Sequence, residues 1–350
     1  MADKYVSSKL ISFTLLFTLV VLLSGCSSSN PGWSEQNEIV LGTLSQIRVY
    51  SNDQSSGDNA VQEAFNRVLE IDERMSYIQP DSQISRINSS AGTLPVTVTD
   101  DTLYLIEEGL RQHEITGGRF HIGLGSLIDL WGIGSEEPSI PEPDEIRETL
   151  SAIDIDYINV SGNQVLIRES GTSVHLGGMA KGYAVDEAVR ILRDMGVTSG
   201  YVNFGGDVYA LGSKPDGDQW SVGIKEPVVG SFDLVGRIII SDRSVVTSGD
   251  YERFISDESG LHYHHILDPA TGYPTNNELV SVTIVSDTSL KGDILSTASF
   301  VMGLEEGYAH ILETPDTEGV LITRSGDIYL TPGMNGIFEL MNDSYRLTEI

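Results

Sequence analysis

His175-Leu-Gly-Gly-Met-Ala-Lys-Gly-Tyr-Ala-Val-Asp186 is the stretch on which the reading of this chain turns. It has the form of a strand end, two glycines, and the first turn of a helix that carries a lysine. Glycines at such a junction let backbone approach a ligand closely, and the free N–H groups of a helix start attract anions. A lysine in the first helical turn opposes the helix dipole, so Lys181 is expected to have a negative group beside it. Taken alone, the same residues also read as a tight strand-to-helix turn with a solvated lysine.

Outward from that stretch, the pattern is one of helices and hairpins in blocks. Alternation over 38–50 predicts a strand, and the apolar positions Val61, Ala64, Phe65, Val68, Leu69 and Ile71 predict a helix over 58–75. Asp81 or Ser82 caps a short helix, a longer helix runs over 101–116 to Gly117-Gly118, and another is expected near 144–152. A hairpin over 157–168 precedes the helix at 179–195. Strands follow near 200–204, 207–211, 219–224, 234–240, 262–267 and 279–286. A helix over 290–302 and a last hairpin turned at Ser325-Gly-Asp close the chain. Strict βαβ alternation is absent, so the expected class is α+β, with mixed, largely antiparallel sheets and packed helices.

The 350 residues carry 51 acidic and 21 basic side chains, a formal charge of −30, which excludes nucleic-acid binding. Phosphorylated ligands are repelled as well, so any phosphate site must supply its own positive charge, and a divalent cation is the obvious source. Lys4 and Lys9 precede an apolar run from Leu10 to Leu23 that ends in Leu23-Ser-Gly-Cys26. This predicts a lipoprotein signal peptide over 1–25, with Cys26 as the acylated first residue of the mature chain. A polar tether is expected over 26–37 and the folded domain over 38–350. Cys26 is the one cysteine present, so no intramolecular disulfide supports the domain.

Two further segments carry chemistry. In Lys291-Gly-Asp-Ile-Leu-Ser-Thr297, Asp293 and Thr297 are four residues apart and share one helix face. Carboxylate and hydroxyl are hard oxygen ligands suited to Mg²⁺, and the Gly178 carbonyl offers a third oxygen. The plainer alternative is an exposed acid and a threonine bonded to its own helix. In His262-Tyr-His-His-Ile-Leu-Asp-Pro-Ala-Thr-Gly272, His265 stands at the entry of a rigid loop as a candidate proton acceptor. A zinc cluster of His262, His264 and His265 is disfavoured because residues 264 and 265 point to opposite strand faces.

In their order along the chain, these segments resemble the ApbE family of FAD:protein FMN transferases. Matching pieces include Pro80 to Asn88, Gly117 to Phe120, His175 to Asp186, Asn203-Phe-Gly-Gly-Asp207, Thr247-Ser-Gly-Asp-Tyr251, His265 to Gly272, and Gly292 to Thr297. The resemblance implies an ApbE-like, T-fold-like architecture. It implies FAD as substrate with Mg²⁺ on its pyrophosphate, and FMN joined to a threonine or serine hydroxyl of an exported or membrane-bound flavoprotein. Matching positions make Gly178, Asp293 and Thr297 the metal ligands. They put the flavin site at Leu41, Ile78, Arg119, Phe120, His121, His175, Lys181 and Leu267.

This chain departs from the family pattern at four of those positions. Leu41 stands where methionine is common and Ile78 where an aromatic is common, while His121 and His175 each replace an aspartate. The leading expectation is a lipid-anchored transferase on the periplasmic side, with His265 and Lys181 as its catalytic pair. The alternatives are a pyrophosphatase that hydrolyses FAD to FMN and AMP, and a non-catalytic FAD-binding lipoprotein.

Overall fold

A computed structural model describes residues 30–257 and 259–350. The expected signal peptide and Cys26 lie outside the described residues. The chain opens with a hairpin of β1 (Gly32–Val40) and β2 (Thr43–Ser51). After it come α1 (Gln54–Met75), α2 (Gln83–Ser89), β3 (Val96–Thr97), α3 (Asp100–Ile115), α4 (Gly125–Trp131) and α5 (Pro143–Ser151). A hairpin of β4 (Ile158–Ser161) and β5 (Gln164–Ile167) leads to α6 (Ala180–Asp194). Then follow β6 (Ser199–Phe204), β7 (Asp207–Gly212), β8 (Trp220–Lys225), β9 (Leu234–Ile240), β10 (Arg243–Gly249), β11 (Phe254–Ser256) and β12 (His262–His264). The last elements are β13 (Leu279–Ser286), α7 (Ser289–Met302), α8 (Leu304–Glu313), β14 (Glu318–Thr323), β15 (Asp327–Leu330), β16 (Phe338–Leu340) and β17 (Arg346–Thr348).

Nine strands form the main sheet, in the order β1-β2-β6-β7-β10-β13-β14-β15-β17. All its neighbours pair antiparallel except β15 and β17. This is the α+β arrangement expected from the blocks of hairpins and helices. The period of two sorts its residues. Ile47, Val49, Val202, Phe204, Tyr209 and Leu211 face the helices, while Gln46, Arg48, Tyr201, Asn203 and Val208 face the other way.

The helix layer is held by apolar stripes. Val61, Ala64, Phe65, Val68, Ile71 and Met75 of α1 are buried against Ala184, Val185, Ala188 and Leu192 of α6 and the sheet. Burial of a side chain such as Phe65 contributes about 2–3 kcal/mol, so this stripe fixes α1 on the sheet without help from a cap. On the opposite face, β8, β9 and β16 form a small sheet that covers the outer side of β10, β13 and β14 through Ile224, Val235, Ile238, Val245, Val285 and Val320.

The strand expected to begin near residue 38 starts at Gly32, so Gly32–Asn37 is sheet rather than tether. Trp33 anchors it, edge-on to Tyr50 at 5.4 Å and under the Arg48 guanidinium at 4.6 Å. The single strand expected over 38–50 is a hairpin whose turn holds Leu41 and Gly42 at positive φ. β10, α4 and α8 are elements that the sequence patterns left undrawn. No helix among the described residues is long and apolar enough to cross a membrane.

Candidate active site

The two-glycine turn places α6 with its N-terminus against the start of α7, and Lys181 lies in the first turn of α6. The Lys181 ammonium contacts the Asp207 carboxylate directly and lies 3.6 Å from Asp293 Oδ1. Both carboxylates are buried. The negative partner expected beside Lys181 is therefore supplied by the protein itself. Burial alone lowers the Lys181 pKa, but the two carboxylates outweigh it and raise the pKa well above the usual lysine value. Burial and Asp293 draw the Asp207 carboxyl upward while Lys181 draws it down. With the ammonium in direct contact, both partners stay charged near neutral pH.

Helix α7 carries Asp293 and Thr297 into the same spot. Asp293 Oδ2 accepts a hydrogen bond from the Gly182 N–H at 3.0 Å, so the second helix touches the first turn of α6. Only glycine fits there, because a Cβ at residue 182 would fall 2.4 Å from the Ser289 carbonyl oxygen. Thr297 Oγ1 lies 3.3 Å from Ser248 Oγ on β10. A Cβ built on Gly178 would be 3.6 Å from Thr297 Oγ1 and 3.2 Å from the Phe120 ring. Gly178 thus lies beside Thr297, which α7 places one turn from Asp293. Asp186 fastens the two helices, its carboxylate accepting from the N–H groups of Ser289 and Leu290 at 2.7 and 2.9 Å. Burial pushes that carboxyl up to about 6 against the pull of the two amides.

The donor set suits a hard divalent cation. It consists of oxygen alone, and the cluster holds two carboxylates against one ammonium, leaving one negative charge to be balanced. Among the described residues no group of three or more His, Cys, Asp or Glu stands ready for a metal. A cation bound here would find a carboxylate at Asp293, a hydroxyl at Thr297 and the backbone of Gly178 within one corner. Binding through a few such oxygens is the habit of Mg²⁺.

Apart from Lys181, the expected flavin positions fall outside the named helices and strands. Gly42, beside Leu41, accepts at 3.3 Å from the Arg253 guanidinium through its carbonyl. His175 Nδ1 accepts from the Gly177 N–H at 3.1 Å, and its ring meets Tyr77 edge-on at 4.7 Å. Burial, and then Arg253, lower its pKa to about 4, so the ring is neutral. His121 behaves alike: Nδ1 accepts from the Gly123 N–H at 3.0 Å, and burial with His113 lowers its pKa to about 4. Each replacement histidine thus accepts a bond from the backbone N–H two residues on, an acceptor role open to an aspartate as well.

Other positions offer less. Ile78 is 86% exposed, whereas the preceding Tyr77 is partly buried, its ring against His175 and its hydroxyl on Asp129 at 2.6 Å. Phe120 and Leu267 are almost fully buried and act as walls. Arg119 is engaged with Glu306 at 3.1 Å. His265 presents an exposed edge, and its Nδ1 lies 3.3 Å from the Arg253 carbonyl. A carbonyl only accepts, so Nδ1 carries the proton and Nε2 is left as the basic atom. Crowding by protein, then His264, Arg253 and Lys181, hold this ring below the ordinary histidine pKa.

Asp207, Ser248, Tyr77 and Arg253 were not expected in the site. Asp207 and Ser248 stand within motifs already noted, Asn203 to Asp207 and Thr247 to Tyr251. Their glycines marked turns, and the polar side chain beside each glycine was the signal to follow.

A lysine gripped by two buried acids between the starts of two helices, in an α+β fold with a nine-stranded sheet, marks the class of protein to which this chain is similar. The model of the ApbE family matches residues 41–321. A Treponema pallidum FAD:protein FMN transferase is 34% identical over 302 residues, covering 81% of this chain and 83% of its own. One from Klebsiella pneumoniae is 32% identical over 316 residues, covering 89% and 96%. The crystal structure of the ApbE protein of Thermotoga maritima superposes with a TM-score of 0.79 at 31% identity, over 87% of this chain and 98% of that one. The chain belongs to the ApbE family.

Proposed function

We propose that this chain is a Mg²⁺-dependent FAD:protein FMN transferase that modifies a threonine or serine of an exported or membrane-bound flavoprotein. The observation that carries this reading is the meeting of Lys181, Asp207, Asp293, Thr297 and Gly178 at one corner. The acceptor hydroxyl oxygen attacks the phosphorus on the FMN side of the FAD pyrophosphate. A new P–O bond forms, the bond from that phosphorus to the bridging oxygen breaks, and AMP leaves with the electron pair. The hydroxyl proton passes to His265 Nε2.

Asp293, Thr297 and the Gly178 carbonyl would hold Mg²⁺, which supplies charge neutralisation for the pyrophosphate. Lys181, held between Asp207 and Asp293, positions Asp293 and offsets part of the carboxylate charge there. Neutral His121 and His175 shape the cleft without adding to its charge. Cys26 would carry the lipid that anchors the enzyme on the periplasmic side of a membrane, and a Cys26→Ser chain released into the soluble fraction is the result expected.

Mass spectrometry tests the reading. Incubation with FAD, Mg²⁺ and a flavoprotein bearing a threonine acceptor should add one FMN mass to that threonine. EDTA or Asp293→Ala should abolish it. AMP release at the same rate without acceptor would instead mark the enzyme as a pyrophosphatase. Unchanged labelling by Asp293→Ala would remove the metal assignment.

A further inference from the structure

The small sheet of β8, β9 and β16 covers only part of the outer face of the main sheet. Where that cover stops, a groove of about 510 Å³ is left. Its floor is two cross-strand rows, Gln46–Asn203–Val208 and Tyr201–Ala210, and its wall is β8, from Trp220 to Gly223. Among the described residues strand β8 pairs with β9 alone, so it is an edge strand whose other side, with alternate N–H and C=O groups, faces the groove. Trp220 is fixed there by its indole N–H to the Leu211 carbonyl at 3.3 Å and by the edge of Tyr201 at 5.6 Å.

Two observations say what the groove takes. First, its lining holds Lys214 and no carboxylate, on a chain with 51 acids. A neutral or acidic segment is therefore admitted where most of the surface repels one. Second, the groove lies at the same end of the main sheet as the reaction centre, on the outer face where the centre is on the helix face. Gly206 lines it, and the next residue, Asp207, grips Lys181. The neighbouring turn of β1 and β2 reaches the same end of the sheet, with the Gly205 N–H bonded to the Leu44 carbonyl at 3.0 Å and Gly42 bonded to Arg253.

We infer that this groove docks the acceptor: an extended segment of the target flavoprotein adds to the free edge of β8, and its continuation rounds the β6–β7 turn to bring the hydroxyl to the phosphates. The inference rests on the transferase reading above. Pairing to an edge strand uses main-chain bonds, so affinity is largely independent of acceptor sequence, while the pockets between Tyr201, Asn203 and Trp220 select side chains at alternate positions.

The test uses the full described domain and a flavoprotein that it is first shown by mass spectrometry to modify, together with a synthetic peptide spanning the modified threonine. Val208→Arg fills the floor and Lys214→Glu reverses the one charge. Both should raise the KM for the acceptor at least about tenfold while FAD affinity and kcat change little, with melting temperature confirming the fold. Adding the peptide to the wild type should slow amide exchange at residues 220–225. Unchanged KM in both variants, or unchanged exchange, overturns the docking inference while leaving the transferase reading intact. Failure of the wild type to label any acceptor overturns that reading, and the docking with it. Protection of β8 that grows with the concentration of the chain alone would assign the edge to a second copy and refute the proposal.

Discussion

Replacing Gly182 by alanine probes whether the meeting of α6 and α7 is as tight as the geometry states. In an exposed helix interior, Gly→Ala stabilises by about 1 kcal/mol. Here the added methyl would lie 2.4 Å from the Ser289 carbonyl oxygen, 2.7 Å from its carbonyl carbon and 2.8 Å from Leu290 Cα. All three are backbone atoms at a helix start that Asp186 pins through two hydrogen bonds. Ordinary contact requires the helices to part by about 1 Å, and overpacking of this kind costs about 1–3 kcal/mol. The clash therefore offsets the propensity gain, and a net loss of up to about 2 kcal/mol is expected. The same displacement lengthens the 3.0 Å bond from the Gly182 N–H to Asp293 and carries Asp293 away from Gly178 and Lys181. Misplacement by about 1 Å lowers turnover by about a hundredfold. Urea unfolding and single-turnover FMN transfer read the two effects separately. A Gly182→Ala protein as stable as wild type, with undiminished transfer, would show that the helices do not meet in this way.

Arg67 bonds Asp101 and Glu187, each at 2.7 Å, and is mostly buried; Arg67→Met removes both bonds between α1, α3 and α6 but leaves Asp101 to Arg74 and Tyr183, and Glu187 to Arg190. A loss of about 1–2 kcal/mol in urea unfolding is expected, and Arg67→Lys should restore part of it. His121 and His175 have folded pKa values near 4, below the unfolded value near 6.5. Their neutral forms stabilise the fold fully above that unfolded value. The contribution is lost as pH falls from there toward 4, at about 1.4 kcal/mol per pH unit for each ring. His175→Asn keeps an acceptor for the Gly177 N–H and removes the titration, so its stability should fall less steeply than that of wild type between pH 7 and 5.

The helix at Ala180 was legible because two glycines, a small residue and a lysine fall where a strand hands over to a helix. The pairing of Asp293 with Thr297 was legible because helical spacing puts residues four apart on one face. Asp207 was not. It reaches Lys181 across 26 residues, from a hairpin turn, and no local periodicity reports such a closure. The early start of β1 was hidden for a related reason: Ser34-Glu-Gln-Asn37 is polar because β1 is an edge strand with much of its side-chain surface in water, so the alternation that marks half-buried strands is missing. Ile78 was placed by family position alone, in an exposed loop that spacing does not fix.

Asp186 has a mechanical consequence. By holding both leading amides of α7, it welds the lysine-bearing helix to the one carrying Asp293 and Thr297, so these groups travel as a single block. The Leu41-Gly42 corner is tied instead to the Arg253 span, which also meets His265.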